Sequence, residues 1–469
     1  MEPTPPTINN LAPELLAEIF LLCVPHPRPQ DVSVFRDNVP LVTVALQGDR
    51  APWTLRGVNT KWKKIVDESS KLWSYIRISG TDLLSLSMLK LQLELSRSRP
   101  LTVEFDGSLK PVIAHVHEVY KHAGRWAGVT IFPRADTLGI LNRHAPPKFP
   151  VMEHLEIVYE TNVTVGIPRS LFSAPRLRLL SLSLLQNFRH DLPVSLDVEE
   201  VRLHMTEKSI SSVLRIFPVI AATVVALFIK NHTPDDALAI PIDNFTPITF
   251  PRLRTFHLKG CGFDALIEDK MILPAVEDIV FSTFRRTTVK ALARLLSNSN
   301  TLLRSLTFVV PRGPCSDYGS ECGERSRLLS QELRVLFSTC PQALQLNLRA
   351  CQHVIHAILR DVDLPAALRG LRLQYRRDGF CSSPVMPEAL VIPAYTIVKL
   401  HNVLFRALSL AQILITVDDL KPSEQMFLAK TLGNGIAVSP DDVGDSISPW
   451  NDYHEFDRQR WYGRWIRWT

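Results

Sequence analysis

Apolar residues recur along most of the chain in one repeated group, in which a proline leads into three apolar positions and the last two are separated by a single residue. PVMEHLEI begins at Pro150, PRLRLLSL at Pro175, PRLRTFHL at Pro251, PAVEDIVF at Pro274, PQALQLNL at Pro341 and PAYTIVKL at Pro393, and other copies keep the apolar group without the proline. Such alternation predicts short strands with one buried face. The middle apolar residues are Ile76, Val103, Val129, Leu155, Leu180, Val201, Leu227, Phe256, Ile279, Leu306, Leu346, Leu371 and Val398, and most steps between them are 21 to 29 residues. Between the strands the period changes to that of a helix. Val289, Leu292, Ala293 and Leu296 form one stripe and Leu329, Leu333, Leu336 and Phe337 another, both read as core faces. The uncharged run between Arg215 and Lys230, broken by Pro218, reads as a helix end followed by a buried strand and is too short to cross a bilayer.

A strand and a return every 21 to 29 residues is the period of a leucine-rich repeat, whose units bury their apolar sides only by stacking on one another. Cys261 and Cys351 fall where that repeat allows Asn or Cys. The expected fold class is therefore an α/β repeat, an irregular leucine-rich-repeat solenoid with a parallel sheet on its concave side. One interval, from Leu306 to Leu346, is 40 residues long and contains PRGPCSDYGSECGERS, which predicts a loop insertion over 311–327. Cys315 and Cys322 in that loop are spaced too widely for the usual zinc pair, so no metal site and no cofactor is expected.

The N-terminal stretch LAPELLAEIF has a different character. Pro13 suits the first turn of a helix, Glu14 complements its positive end, Leu15, Ile19 and Leu22 share one face, and Leu16 and Phe20 an adjacent one. A helix of about ten residues is not stable alone, so both apolar faces need partners. After a Pro-rich stretch comes TLRGVNTKWKKIVDESSKLWSYIRI, with Leu55, Val58, Trp62 and Ile65 at helical spacing and Leu72 with Trp73 closing it.

Together these segments resemble the F-box, in the divergent form common in fungal proteins: a Leu-x-Pro-Glu-Leu-Leu-x-x-Ile-Phe helix, a Leu-x-x-Val-x-x-x-Trp helix, then Leu-Trp. The resemblance is closest over 10–24 and 54–78. It departs at Asn59, where the family commonly has Cys, at Ala12, where it has a second Pro, and in the long interval 25–53. The resemblance implies a small helical module that docks on the adaptor subunit of a cullin-RING ubiquitin ligase, while downstream repeats hold a protein substrate. Leu11, Pro13, Glu14, Leu15, Ile19 and Leu22 would meet the adaptor, and Trp62, Leu72 and Trp73 would close the module. A helical cap for a repeat scaffold without any ligase role is the alternative reading of the same segment.

The expected organisation is a disordered start (1–9), the helical module (10–75) with its internal loop (25–53), the repeat region (76–403) and an atypical C-terminal segment or cap (404–469). That last segment carries Trp450, Trp461, Trp465 and Trp468 among arginines, and reads as a docked cap or as an exposed basic-aromatic tail.

On each strand the residues beside the buried apolar ones should face solvent. At those positions stand Arg202, His204, Lys230, His257, Lys259, Arg349, Arg372, Lys399 and His401, with Glu156 the clearest acidic residue. They make a basic face the expected substrate-binding surface, suited to an acidic or phosphorylated segment. The chain as a whole, with 53 basic and 47 acidic residues, is only mildly positive at +6, so nucleic acid is not expected as a partner. Seven thinly spread cysteines fit a reducing compartment, and no secretory signal opens the sequence, so cytoplasm or nucleus is expected. No nucleophile elbow, phosphate-cradling glycine loop or zinc helix is present in the sequence, and a non-catalytic receptor is expected rather than an enzyme.

Overall fold

The computed structural model describes residues 8–23, 51–78, 85–105, 113–132, 149–159, 169–184, 195–206, 209–231, 246–260, 264–267, 270–282, 286–299, 302–309, 331–339, 345–350, 370–375, 412–417 and 436–438, with a few single positions between them. They fall into two compact units, one within Met1–Val198 and one within Glu199–Ser448. Both are α/β and both are built on parallel sheet.

In the first unit, helices α1 (Pro13–Cys23), α2 (Ala51–Arg56) and α3 (Thr60–Glu68) precede strand β1 (Tyr75–Ile78). Helix α4 (Leu86–Leu95), β2 (Leu101–Phe105), α5 (Ile113–Tyr120), β3 (Trp126–Ile131), β4 (His154–Tyr159) and β5 (Leu179–Leu184) follow. The strands pair in sequence order, all parallel. Their register aligns Ile76, Val103, Val129, Leu155 and Leu180 side by side, and all five are buried. Parallel neighbours need a crossover connection. Here α4 and α5 supply it, burying Leu89, Leu93, Val116 and Val119, and Trp126 packs among Phe105, Tyr120 and Phe149.

The second unit repeats the scheme with β6 (Glu200–Met205), β7 (Ala226–Asn231), β8 (Thr255–Lys259), β9 (Asp278–Ser282), β10 (Ser305–Val309), β11 (Gln345–Ala350), β12 (Gly370–Tyr375), β13 (Gln412–Val417) and β14 (Ile436–Val438). Again these strands pair in parallel and in order. Val201, Leu227, Phe256, Ile279, Leu306, Leu346 and Leu371 stand in one register row. Helix α6 (Ile210–Ile220) and β7 occupy the uncharged run, and α7 (Arg286–Ser299) buries the stripe Val289, Leu292, Ala293 and Leu296. Leu333, Leu336 and Phe337 are likewise buried in the helical stretch 331–339.

A single backbone approach explains one glycine. At Gly260 φ is +107°, its N–H donates to the Ser282 carbonyl at 2.9 Å, and a Cβ there would lie 2.3 Å from the Asn231 carbonyl oxygen. Only glycine fits where β8 turns away beside β7.

The strand that pairs with β12 is Gln412–Val417, beyond position 403, the end predicted for the repeat region. Its sequence, QILITV, carries Ile413 in register with Leu371 and lacks the leading proline that marks six of the copies. The unit division at Val198 falls inside the span expected to be one repeat region. Val398, the loop insertion at 311–327, most of 404–469 and the interval 25–50 lie outside the described residues, as do Cys315 and Cys322.

Candidate functional site

The first three helices form a small cluster around Leu16, Phe20, Leu21, Ala51, Ile65, Val66, Leu72 and Trp73. Helix α1 faces this core with Leu16, Phe20 and Leu21, and the Leu16 N–H closes its first turn on the Ala12 carbonyl at 3.1 Å. The three-to-four spacing that buries those residues turns Leu15, Ile19 and Leu22 outward. Leu15 is 55% exposed and Leu22 86%, Pro13 and Glu14 are also exposed, and Leu11 and Ile19 are half-buried against the core's edge. Among the described residues seven large apolar side chains are exposed, and four of them, Ile8, Leu15, Leu22 and Val58, lie on the segments that form this cluster, so much of the exposed apolar area is on its surface.

Leu72 and Trp73 lie within this buried cluster and Trp62 packs against it. Trp73 is fully buried, donates from Nε1 to the Val66 carbonyl at 2.8 Å and meets Trp53 edge-on at 4.8 Å. Leu72 is fully buried beside it. Trp62 packs on Phe20 with ring centroids 4.7 Å apart and donates from Nε1 to Asn9 Oδ1 at 2.8 Å. Lys61 Nζ donates to the carbonyls of Asn9 and Leu11, at 2.6 and 3.0 Å, which ties the start of α1 to α3. Arg56 and Asp67 pair at 2.7 Å between α2 and α3.

Asn59 finds a local reason here. Its Oδ1 accepts the Trp62 N–H at 2.8 Å, making it the N-cap of α3. Asn59→Ala removes that bond and is expected to lower stability by about 1 kcal/mol. A thermal melt showing no shift would mean that the cap contributes nothing.

The basic face of the second unit differs from the expectation in exposure and in charge. His204, Lys230 and His257 are buried rather than solvated, and Arg202 and Lys259 are half-buried. The rings shield one another, with Arg202 Cζ 5.5 Å from the Phe228 centroid and Phe228 edge-on to His257 at 4.4 Å. Burial pushes His204 down to about 3, helped by Lys230, Arg202 and Lys259, and pushes His257 down to about 3, helped by Arg202. Both imidazoles are neutral at pH 7 and add no positive charge. Arg202 pairs with Glu200, Nη2 to Oε1 at 2.5 Å. The cations of this face are therefore Arg202, Lys230 and Lys259, with His204, Lys230 and Lys259 in one register row across β6, β7 and β8.

Arg349 stands opposite Val309 in the β10–β11 register and Arg372 opposite Asn347 in β11–β12, while Lys399 and His401 lie outside the described residues. In the first unit the corresponding face is acidic and hydroxyl-rich. Buried Glu156 accepts from Thr130 and Ser181 hydroxyls, both at 3.3 Å, and Glu104 accepts from Tyr75 and pairs with Arg77 at 3.3 Å. The Glu104 group is legible by the same rule that picks out Glu156, because it directly follows marker Val103.

Among the described residues no group of three or more His, Cys, Asp and Glu side chains could hold a metal ion, and no helix is long and apolar enough to cross a membrane. No family model and no curated protein matches the chain.

Proposed function

We propose that the chain is the substrate-recognition subunit of an F-box-type cullin-RING ubiquitin ligase, with an N-terminal F-box-like module for the ligase adaptor and a leucine-rich-repeat-like region for a protein substrate. The observation that carries the reading is the division of α1 into two apolar faces. Leu16 and Phe20 complete the cluster's own core, while Leu15 and Leu22 remain exposed, an apolar surface that a partner can desolvate. A mere cap would turn both faces inward. The in-order parallel strands, with one buried marker residue per strand in register, support the repeat reading of the region downstream of the cluster. The transfer chemistry would belong to partner subunits.

Co-expression of the tagged full-length chain with the adaptor and cullin tests this, beside a Leu15→Asp, Leu22→Asp variant. Both positions are exposed, so the variant keeps its fold, whereas a charge in a desolvated contact costs several kcal/mol. Capture of adaptor and cullin by the wild type and at least a hundredfold less by the variant is expected. Equal recovery with both proteins, or with neither, rejects the ligase role and favours a repeat scaffold that binds partners without ubiquitin transfer.

A further inference from the structure

We propose that the edge of the first unit, where the chain enters strands β1 to β5, is a docking surface for an acidic segment of a partner protein. The loops at that edge, 70–74, 96–100, 121–125, 149–153 and 173–178, carry Lys71, Arg97, Arg99, Arg125, Arg176 and Arg178. Lys121 also lies there and pairs with Glu118 at 2.8 Å, and the one acidic residue within the loops is Glu153. Lys71, Arg97, Arg99, Arg176 and Arg178 are all exposed, and among the described residues no carboxylate pairs with any of the five. Their charge is open to solvent and to a partner.

Strand pairing sets these loops side by side, with the Thr102 N–H donating to the Ser74 carbonyl, Glu153 to Ala127 and Arg178 to Glu153. Side chains fasten three of them together. Arg125, half-buried, donates to the Arg99 carbonyl from Nε and Nη2 at 3.0 and 2.9 Å and to the Ser96 hydroxyl at 2.7 Å, while Arg99 Nε donates to Ser70 Oγ at 3.3 Å. A surface fixed in this way loses little freedom on binding. In the second unit the loops into β7 to β10 hold Arg252, Arg254 and Arg304 with Glu277, and Arg254 pairs with Glu277 at 3.7 Å. The excess is therefore particular to the first unit and not a general property of strand entry.

The shape of the patch favours a short extended peptide. Neighbouring strands lie about 4.8 Å apart, so five entries span about 19 Å, the reach of roughly six extended residues. Carboxylates on alternate residues of such a segment face the patch together and meet guanidinium groups in charge-assisted contacts. None of the exposed large apolar side chains lies in these loops, so nothing there would insert into a bilayer. Trp73 and Phe149, their aromatic residues, are buried and offer no stacking platform for single-stranded nucleic acid.

The surface is independent of the ligase reading, and its test needs neither adaptor nor cullin. Anisotropy of a labelled heptapeptide pool with Glu or Asp at alternate positions is measured with the full chain, beside the same pool carrying Gln or Asn there. Preferential binding of the acidic pool, weakening as salt is raised, is expected. The double variants Arg97→Gln, Arg99→Gln and Arg176→Gln, Arg178→Gln should each weaken it by about fivefold to tenfold, and Arg215→Gln, on exposed α6 surface, should leave it unchanged. Equal binding of the two pools, or unchanged affinity in either double variant, overturns the proposal. Sedimentation with phosphatidylserine-containing vesicles, lost in the same variants and without preference between the pools, would instead assign the edge to a membrane surface. Adaptor capture by these variants should equal that of the wild type, so failure of this surface and failure of the ligase role give different results.

Discussion

Trp73→Ala is expected to destabilise the N-terminal helical cluster by about 3 to 5 kcal/mol, the range for deleting a fully buried large aromatic. The side chain has no exposed surface, and three losses coincide on its removal. The cavity it leaves is bordered by α2, α3 and the segment leading into β1, the edge-on contact with Trp53 disappears, and the Val66 carbonyl loses the shorter of its two hydrogen bonds, keeping the Ser69 N–H at 3.2 Å. Because isolated helices of this length do not persist in water, the loss of their shared core should melt α1 to α3 together. Urea denaturation followed by tryptophan fluorescence should show an early transition in the variant, and Trp73→Phe should recover part of the loss. A midpoint equivalent to less than about 1 kcal/mol of change would mean that Trp73 does not close the cluster.

The second unit should lose stability in mild acid, and two histidines account for it. His204 and His257 are buried as neutral imidazoles with folded values near 3, against an ordinary value near 6.5. As pH falls below 6.5 the unfolded chain binds protons that the folded chain refuses, so the linkage favours unfolding. The contribution is fully present above 6.5 and is lost progressively toward 3. It amounts to about 2 kcal/mol for each histidine at pH 5. Unfolding midpoints measured from pH 7.5 to 4.5 should therefore fall steeply, and a His204→Gln, His257→Gln variant should flatten that slope even if it is less stable at pH 7.5. Parallel slopes in the two proteins would show that the imidazoles are protonated in the folded state.

The strands were legible because each carries a buried apolar residue at a position that neighbouring copies repeat. Ile76, Phe256 and Leu346 can be found from sequence alone and then stand where the ladder requires them. Stacking makes this pattern strict, since a one-residue slip would turn every marker to the wrong face. Gln412–Val417 is harder to find because the most distinctive signal is a proline followed by apolar alternation, and this strand has the alternation without the proline.

Burial on the opposite face was much less legible. Sequence gives the side of a strand on which His204, Lys230 and His257 lie, but their exposure depends on what neighbouring strands bring alongside. Phe228 and Arg202, in the next register positions, cover His257. The role of Asn59 was similarly hidden. Asn before a helix is a common cap, yet comparison with a motif that has Cys there made it look like a departure, and only the bond to the Trp62 N–H gives it a purpose. The two faces of α1, by contrast, follow from spacing alone, and Leu16 and Leu15 end on the sides that spacing predicts.

The most direct test of the account is a calorimetric titration of the purified full-length chain with the purified F-box-binding adaptor of a cullin-RING ligase. Saturable one-to-one binding that disappears in the folded Leu15→Asp, Leu22→Asp variant is the predicted result. Absence of binding by the wild-type chain, or binding of equal strength by the variant, would contradict the assignment of α1 as an adaptor-docking helix.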